Sequence, residues 1–204
     1  MEIDNPLPPT VIEPKQEALL AAAVGVFARF GYRKASMDEV ARAAGVSRQG
    51  LYLLFADKEA LFRKAVNFKL AQLLRSAMSA LADPGIPLDA RLIAACDEWC
   101  GRSVGLFGGD AADLMCASTS LAGATVAYYH AQFEQALAKA IASSPLMNFC
   151  TRLDLSPMDA AKALHATARG LKQSCTSRQE FSAGITAAVR MFCAPLSIMV
   201  APEE

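Results

Sequence analysis

Two short helices separated by a tight turn constrain the fold of this chain more than any other feature. The segment SMDE at residues 36–39 has the spacing of a capping box, in which a serine and a glutamate three residues later satisfy the first backbone N–H groups of a helix. Gly45 ends that helix, and Ser47 can cap the next one. The pattern therefore predicts a helix-turn-helix over residues 36–55.

Helical periodicity also covers the rest of the chain. Apolar residues recur at helical spacing, and no alternating run typical of a strand is present. An Asp-Pro-Gly break at residues 83–85 marks a candidate domain junction. We therefore predict an all-α protein of about nine helices, at residues 14–30, 36–44, 47–55, 58–81, 88–107, 110–122, 123–143, 156–174 and 177–194.

The neutral net charge of the 204-residue chain conceals two halves of opposite sign. The chain is 53% hydrophobic and 20% charged, which excludes a disordered chain and an overall polycation. Residues 29–64 hold eight basic and four acidic side chains, a balance of +4, whereas residues 76–204 hold nine basic and twelve acidic ones, a balance of −3. The helix-turn-helix therefore lies in a basic end that could approach DNA.

The chain carries no recognisable targeting signal. Its amino terminus is acidic and proline-rich rather than basic and then apolar, and polar residues interrupt the long uncharged stretch at 114–133. We expect a soluble, cytoplasmic protein that spans no membrane. The six cysteines form no C-x-x-C pair and are interpreted as reduced, buried small hydrophobes.

The basic end resembles the amino-terminal signature of TetR-family transcriptional regulators over residues 15–64. The matching motifs are F-x-x-x-G-Y at Phe27, Gly31 and Tyr32, S-M-D-E-V-A at 36–41, A-G-V-S at 44–47, L-Y-x-x-F at 51–55 and K-E-x-L at 58–61. The resemblance implies a regulator, usually a repressor, that binds a palindromic operator in double-stranded DNA as a homodimer and is released by a small apolar or amphipathic ligand.

The same resemblance, with the junction at residues 83–85, predicts four segments. A flexible tail at 1–13 precedes a DNA-binding domain at 14–56, a connecting helix at 57–82 and a ligand-sensing and dimerisation body at 83–204. Within the body, the last two helices are expected to form the dimer interface through Met158, Ala161, Leu164, Ala168, Leu171, Phe181, Ile185, Ala188 and Phe192. Aromatic and flexible residues of the middle helices could line the ligand pocket or simply pack in the core: Trp99, Phe107, Met115, Tyr128, Tyr129, Phe133 and Met147.

Seven residues of the DNA-binding domain and of the start of the connecting helix are candidate DNA contacts. Arg48 could form two hydrogen bonds to guanine and Gln49 could pair with adenine, although either side chain could also be merely solvated or contact phosphate. Gly50 indicates either close approach of DNA or tight packing of the two short helices. The remaining candidates could contact phosphate, with helix capping or a solvated surface charge as the simpler alternatives: Ser36, Ser47, Tyr52 and Lys58.

Two departures from the family pattern each remove a possible polar phosphate contact. Leu54 stands where His or Tyr is frequent, and Ala35 stands where Thr is common. Both would weaken binding without changing which bases are read.

Two other functions are the alternatives to a ligand-released regulator: an enzyme, and a regulator of the same fold that senses thiol oxidation. An enzyme is disfavoured because the chain has only two isolated histidines and no catalytic or phosphate-binding motif, and no cofactor is expected. A metal site is not expected either, because Asp97, Glu98, His130 and His165 are scattered along the sequence. A regulator of the same fold that senses thiol oxidation would need Cys96, Cys100 or Cys116 to be exposed, with a depressed pKa.

Overall fold

The protein is helical throughout the part that the structure, a computed structural model, describes: residues 13–105 and 111–199. Within these ranges there are nine α-helices and one short 3-10 helix at Gly101–Ser103, and no strand, so the all-α prediction is confirmed. None of the helices in the described ranges has an apolar stretch that could cross a membrane. The helices are α1 (Pro14–Lys34), α2 (Met37–Ala44), α3 (Arg48–Leu54), α4 (Lys58–Leu81), α5 (Leu88–Trp99), α6 (Ala111–Ala142), α7 (Leu146–Arg152), α8 (Pro157–Ser174) and α9 (Arg178–Met199).

The first of two compact units combines the described residues up to Gln72 with those from 111 to Tyr129. In it α1 packs on α2, and α2 packs on α3. The aromatic rings of Phe27 and Phe62 meet edge to face, with centroids 5.0 Å apart. The apolar core that supports the two short helices includes Leu19, Leu20, Phe27, Val40, Leu51, Leu61, Phe62 and Ala117.

A bend near the end of α1 is tied to the start of α6 within this unit. Gly31 has φ 75°, a left-handed conformation that glycine adopts without steric cost, and it interrupts α1 where the sequence predicts the helix to end. The buried carboxylate of Asp113 accepts hydrogen bonds from the backbone N–H of Arg33 (2.9 Å) and from its guanidinium Nε (2.8 Å). These bonds, the backbone one first, hold the pKa of Asp113 below its ordinary value.

The second compact unit combines Leu73–Gly105 with the described residues from His130 onward. Within it α9 packs against α5 and against α8, to which residues 175–177 join it. The core of this unit is formed by buried side chains of α5 to α9, including Leu92, Trp99, Phe133, Leu137, Ile141, Leu146, Leu164, Phe181 and Ile185.

The elements differ from the sequence prediction mainly in this half of the chain. The helix predicted to continue to residue 107 ends at Trp99 and is followed by the 3-10 helix, and α7 was not predicted as a separate helix. The helices predicted at 110–122 and 123–143 form one element, α6, in which Ala122 (φ −134°, ψ 20°) leaves the helical conformation. Only a kink therefore marks the predicted boundary.

The compact units also divide the chain at other places than the four predicted segments. The divisions lie inside α4 and inside α6, because side chains of the first half of α6, such as Ala117, belong to the core around α1 to α4. The functional assignment of the four segments stays a prediction.

Candidate nucleic-acid interface

The capping box at the start of α2 forms as its sequence predicts. The Ser36 hydroxyl oxygen accepts a hydrogen bond from the Glu39 backbone N–H (3.2 Å), and a Glu39 carboxylate oxygen accepts from the Ser36 backbone N–H (2.8 Å) and hydroxyl (2.9 Å). The two Ser36 donors lower the pKa of Glu39. A phosphate oxygen would thus have to replace Glu39 as the acceptor of the hydroxyl hydrogen.

The turn between α2 and α3 depends on one glycine. Gly45 has φ 66°, and Val46 donates its backbone N–H to the carbonyl of Ala41 (3.0 Å), which closes the end of α2. Ser47 then caps α3 by accepting the Gly50 N–H (3.0 Å). The turn thereby presents the amino-terminal residues of α3 at the surface.

Gly50 is not required for packing between the two short helices. A Cβ atom at this position would lie 3.1 Å from the Ser47 hydroxyl oxygen and within 4 Å of no other described side chain and of no backbone outside its own helix. Tight packing on α2 therefore does not explain the glycine, whose nearest described side-chain atom is the capping hydroxyl of Ser47.

The outer face of α3 carries the predicted base-reading residues. Leu51 is fully buried and anchors the helix, whereas Arg48, Gln49 and Tyr52 are exposed. The Arg48 guanidinium donates to a carboxylate oxygen of Asp38 (3.1 Å) and lies 5.6 Å from the centre of the Tyr52 ring. Because exposed ion pairs contribute little free energy, Arg48 could exchange Asp38 for a base at small cost.

Lys58 makes contacts that its sequence position did not reveal. Its ammonium group donates to the backbone carbonyls of Tyr32 (3.0 Å), Arg33 (3.3 Å) and Ala35 (3.2 Å), and it lies 4.6 Å from the centre of the Tyr32 ring. Because a lysine ammonium has three hydrogens, these three carbonyls can accept all of the hydrogen bonds that Lys58 donates. Its contacts bind the start of α4 to the end of α1, and phosphate would compete with them.

The predicted pocket residues are dispersed. In the second unit the rings of Trp99 and Phe133 stack with centroids 5.0 Å apart, and both are buried. In the first unit the rings of Tyr128 and Tyr129 meet edge to face at 5.3 Å. Met147 is half-buried, Met115 is 60% exposed, and Phe107 lies outside the described residues.

The second unit contains a buried polar cluster that the sequence prediction missed. The Trp99 indole N–H donates to His165 Nε2 (3.2 Å), and His130 Nδ1 lies 3.0 Å from the same nitrogen. The other ring nitrogen of His165, Nδ1, lies 2.8 Å from a carboxylate oxygen of Glu134. The only local signal is the four-residue spacing that puts His130 and Glu134 on one face of α6.

The hydrogen bonds of this cluster assign the proton of His165. An indole N–H can only donate, so His165 Nε2 must be an acceptor, and Nδ1 carries the proton that is donated to Glu134. His165 is therefore neutral. Burial is the first cause that lowers its pKa, and burial followed by the nearby His165 lowers the pKa of His130 to about 4.

The two histidines, which lie 35 residues apart in the sequence, are thus in contact. No three His, Cys, Asp or Glu side chains among the described residues are placed to hold a metal ion. The donor bonded to His165 Nε2 is the Trp99 indole, which occupies the lone pair that a metal would need.

The predicted dimer residues differ in how far the single chain buries them. Five of the nine are fully buried within the single chain and so have no surface to offer a partner: Ala161, Leu164, Ala168, Phe181 and Ile185. The remaining four are partly exposed: Met158, Leu171, Ala188 and Phe192. An apolar stripe identifies the buried face of a helix, but the stripe does not tell whether the same chain or a second copy covers that face.

The cysteines differ in accessibility. Cys96 and Cys100 are buried, and burial raises the pKa of Cys96 strongly and that of Cys100 to about 11. Neither meets the conditions for a thiol sensor. Cys116 is exposed, and Cys175 is partly exposed.

Comparisons with known proteins agree with this geometry. The family described as "Bacterial regulatory proteins, tetR family" matches residues 19–65. The chain is 33% identical over 73 residues to the uncharacterized HTH-type transcriptional regulator YhgD of Bacillus subtilis, which is 36% of this chain and 38% of that protein. It is 37% identical over 51 residues to the HTH-type transcriptional regulator RutR of Escherichia coli, 25% of this chain and 24% of RutR. The matches thus span well under half of these relatives.

Solved structures extend the likeness of the fold to most of the chain. A transcriptional regulator from Rhodococcus sp. RHA1 superposes with a TM-score of 0.67 at 19% identity, over 90% of this chain and 97% of that one. A TetR-family regulator from Mesorhizobium loti superposes with a TM-score of 0.62 at 20% identity, over 89% and 96%. Residues 19–65, within α1 to α4, thus match the TetR family of bacterial regulatory proteins, and the all-helical fold of most of the chain is shared with the solved structures.

Proposed function

We propose that this regulator is a homodimeric repressor that binds a palindromic operator and leaves it when a small apolar or amphipathic ligand binds to the body. The observation that carries the proposal is the outer face of α3, where Arg48, Gln49 and Tyr52 are exposed on a helix held from behind by Leu51. Since DNA lies in the cytoplasm of bacteria, we assign the protein to that compartment.

We assign base reading to the first turn of α3. Arg48 would exchange its exposed contact with Asp38 for two hydrogen bonds to guanine, and Gln49 would pair with adenine. Gly50 supports this assignment because it has no side chain to keep DNA away from the helix backbone, and packing on α2 does not require it. In a dimer, two such helices would read two half-sites of a palindrome.

Phosphate binding is assigned to residues on α3 and around it. Ser36 and Ser47 lie at helix amino termini, where backbone N–H groups favour anions, and the Tyr52 hydroxyl can reach a phosphate from the exposed face. Lys58 is the weaker candidate, because its ammonium already serves three carbonyls. We infer that it mainly positions α4 against α1.

The dimer proposal rests on a different face of α8 and α9 from the one that the sequence indicated. Small exposed residues recur at helical spacing on both helices, which lets a second copy approach closely: Ala163, Thr167 and Gly170 on α8, and Ala183 and Ala187 on α9. The exposed Met191 follows on the same face of α9 and offers apolar surface. We expect Ala187→Arg to convert a dimer into a monomer in light scattering at micromolar concentration, whereas Ala131→Arg, at an exposed position of α6, leaves the mass unchanged. A wild-type protein that is already monomeric would contradict the proposal.

The ligand is assigned to the second unit, which has aromatic side chains and a polar cluster in its interior. Trp99 and Phe133, which are buried in the single chain, would have to separate to offer apolar surface to a ligand. The half-buried His130 and Glu134 would supply the few polar groups that fix its orientation. DNA binding and ligand binding are thermodynamically linked. Such a ligand therefore weakens DNA binding only to the extent that it binds more tightly to the conformation that does not fit DNA.

The test is selection of bound sequences from random duplex DNA at one fixed salt concentration. A palindromic consensus is expected, and the absence of any consensus would refute sequence-specific binding. Arg48→Ala should weaken binding to the selected duplex by roughly 10- to 100-fold and relax the preference at one position of each half-site. Arg152→Ala, the same charge change at an exposed residue of α7, should alter affinity by less than about twofold.

The thiol-sensing alternative now depends on Cys116. Thiol labelling of the native protein should modify Cys116 quickly and Cys96 and Cys100 only on unfolding, because burial disfavours their thiolates. Oxidation that abolishes DNA binding in the wild type but not in a Cys116→Ser variant would favour the alternative over release by a ligand.

A further inference from the structure

Helix α3, to which base reading is assigned, exposes a leucine at the centre of its outer face. Leu53 is 82% exposed, although it follows directly on the polar surface formed by Arg48, Gln49 and Tyr52. Single exposed leucines are common on protein surfaces, so exposure alone indicates nothing. The position of Leu53 on α3, by contrast, is informative, because it lies next to the side chains assigned to base reading.

The helical wheel of α3 places Leu53 beside Gln49. Successive residues of an α-helix are rotated by about 100°, so Gln49 and Leu53, two residues on either side of the buried Leu51, both point about 160° away from it. They are four residues apart and therefore neighbours on one face, one turn from each other. The Gln49 amide and the Leu53 isobutyl group thus lie on either side of the line that points straight away from the core.

An isobutyl group in the major groove has one chemical partner. It cannot donate or accept a hydrogen bond, and the C5-methyl of thymine is the apolar group that base edges present in this groove. We propose that Leu53 contacts the methyl group of a thymine in each half-site and so selects thymine there. This inference rests on the proposed DNA binding, with Gln49 on the same face as the link to the base-reading surface.

The adjacent Leu54 provides a matched control. It is 57% exposed but lies three residues after Leu51, about 60° from the buried direction, at the edge of the face rather than at its centre. A substitution of Leu54 by Ala removes the same atoms from the next position of the same helix. It should therefore reproduce any general effect on the helix without removing the thymine contact.

The experiment removes the methyl group from DNA and the isobutyl group from the protein. In the best duplex obtained by selection, each thymine of a half-site is replaced in turn by deoxyuridine, which lacks only the C5-methyl. Binding constants are measured at one salt concentration for the wild type, Leu53→Ala and Leu54→Ala. We expect one thymine at which the replacement weakens wild-type binding about 3- to 10-fold, the effect of losing one buried methyl contact.

The two variants distinguish a direct contact from a general effect. Leu53→Ala should bind the thymine and deoxyuridine duplexes equally, whereas Leu54→Ala should keep the wild-type ratio. A wild type that tolerates deoxyuridine at every position, a consensus without thymine, or a Leu53→Ala variant that keeps the ratio would each overturn the inference and leave the proposed function intact. If no duplex is bound specifically, the proposed function fails first.

Discussion

The two compact units differ in where they keep their polar groups. In the unit with α1 to α3, the polar contacts lie mostly at the surface and between residues close in sequence, such as Ser36 with Glu39 and Ser47 with Gly50. In the other unit, three side chains from distant segments, Trp99, His130 and His165, meet in the interior. The first arrangement leaves side chains available to an external partner, whereas the second makes the stability of the unit depend on protonation.

The largest effect should come from removing one core aromatic from each unit. Phe62 contacts the rings of Phe27 and Tyr32, and Phe133 contacts those of Trp99 and His165; both phenylalanines are buried. We expect Phe62→Ala and Phe133→Ala each to cost about 3 to 5 kcal/mol of the free energy of unfolding, because each leaves a cavity.

Amide hydrogen exchange separates the two variants. Phe62→Ala should accelerate exchange mainly in α1 to α3 and weaken DNA binding, whereas Phe133→Ala should accelerate it mainly in α5 and α8. Uniform acceleration of exchange over both units in either variant would show that the units differ in the placement of their polar groups but unfold together.

The same difference explains what could be predicted from the sequence. The bounds of α2 and α3 were predicted to within about a residue, because Ser36, Gly45 and Ser47 determine them through contacts with near neighbours. The motifs built on these residues also carried the resemblance to the TetR family. The match of residues 19–65 to the tetR family and the transcriptional regulators among the relatives agree with the prediction of a DNA-binding regulator rather than an enzyme.

The unpredicted features depend on contacts between distant segments. Lys58 lies more than twenty residues from the carbonyls it binds, and His165 lies 35 residues from His130, so no local pattern marks either contact. Periodicity likewise predicts that Leu164 and Phe181 are buried, but it does not show whether the same chain or a second copy covers them. The bounds of α2 and α3, by contrast, depend on contacts within a few residues, so the sequence predicts them.

An intermediate effect is expected from pH, and only in the second unit. The folded-state pKa is about 4 for His130 and is lowered for His165, whereas an unfolded histidine titrates near about 6.5. Between these values the unfolded chain binds more protons, so stability is full above about pH 6.5 and falls as the pH falls toward 4. We expect a loss of about 1 to 2 kcal/mol between pH 7 and pH 5, allowing for partial exposure of His130.

The chain is well suited to this measurement. Its two histidines are both in the cluster, and its single tryptophan, Trp99, is bonded to one of them, so Trp99 fluorescence can follow unfolding of this unit at each pH. His130→Asn should reduce the pH dependence while leaving Trp99 in place. Stability that is constant between pH 7 and pH 5 would contradict neutral histidines, and hence the difference between the units.

The smallest effect compares one device that occurs in both units. Ser36 and Ser156 each form a capping box, with Glu39 and with Asp159, and their hydroxyl oxygens accept from backbone N–H groups at 3.2 and 3.1 Å. We expect Ser36→Ala and Ser156→Ala each to lower the free energy of unfolding by about 1 kcal/mol in chemical denaturation, because each leaves one helix N–H without its partner.

The effects of the two variants on DNA binding should differ. Ser36→Ala should weaken binding to the selected duplex severalfold, since Ser36 is assigned a phosphate contact, and Ser156→Ala should not. Equal effects of the two variants on affinity would mean that Ser36 acts on DNA only through the stability of α2, and its assignment to phosphate would be withdrawn.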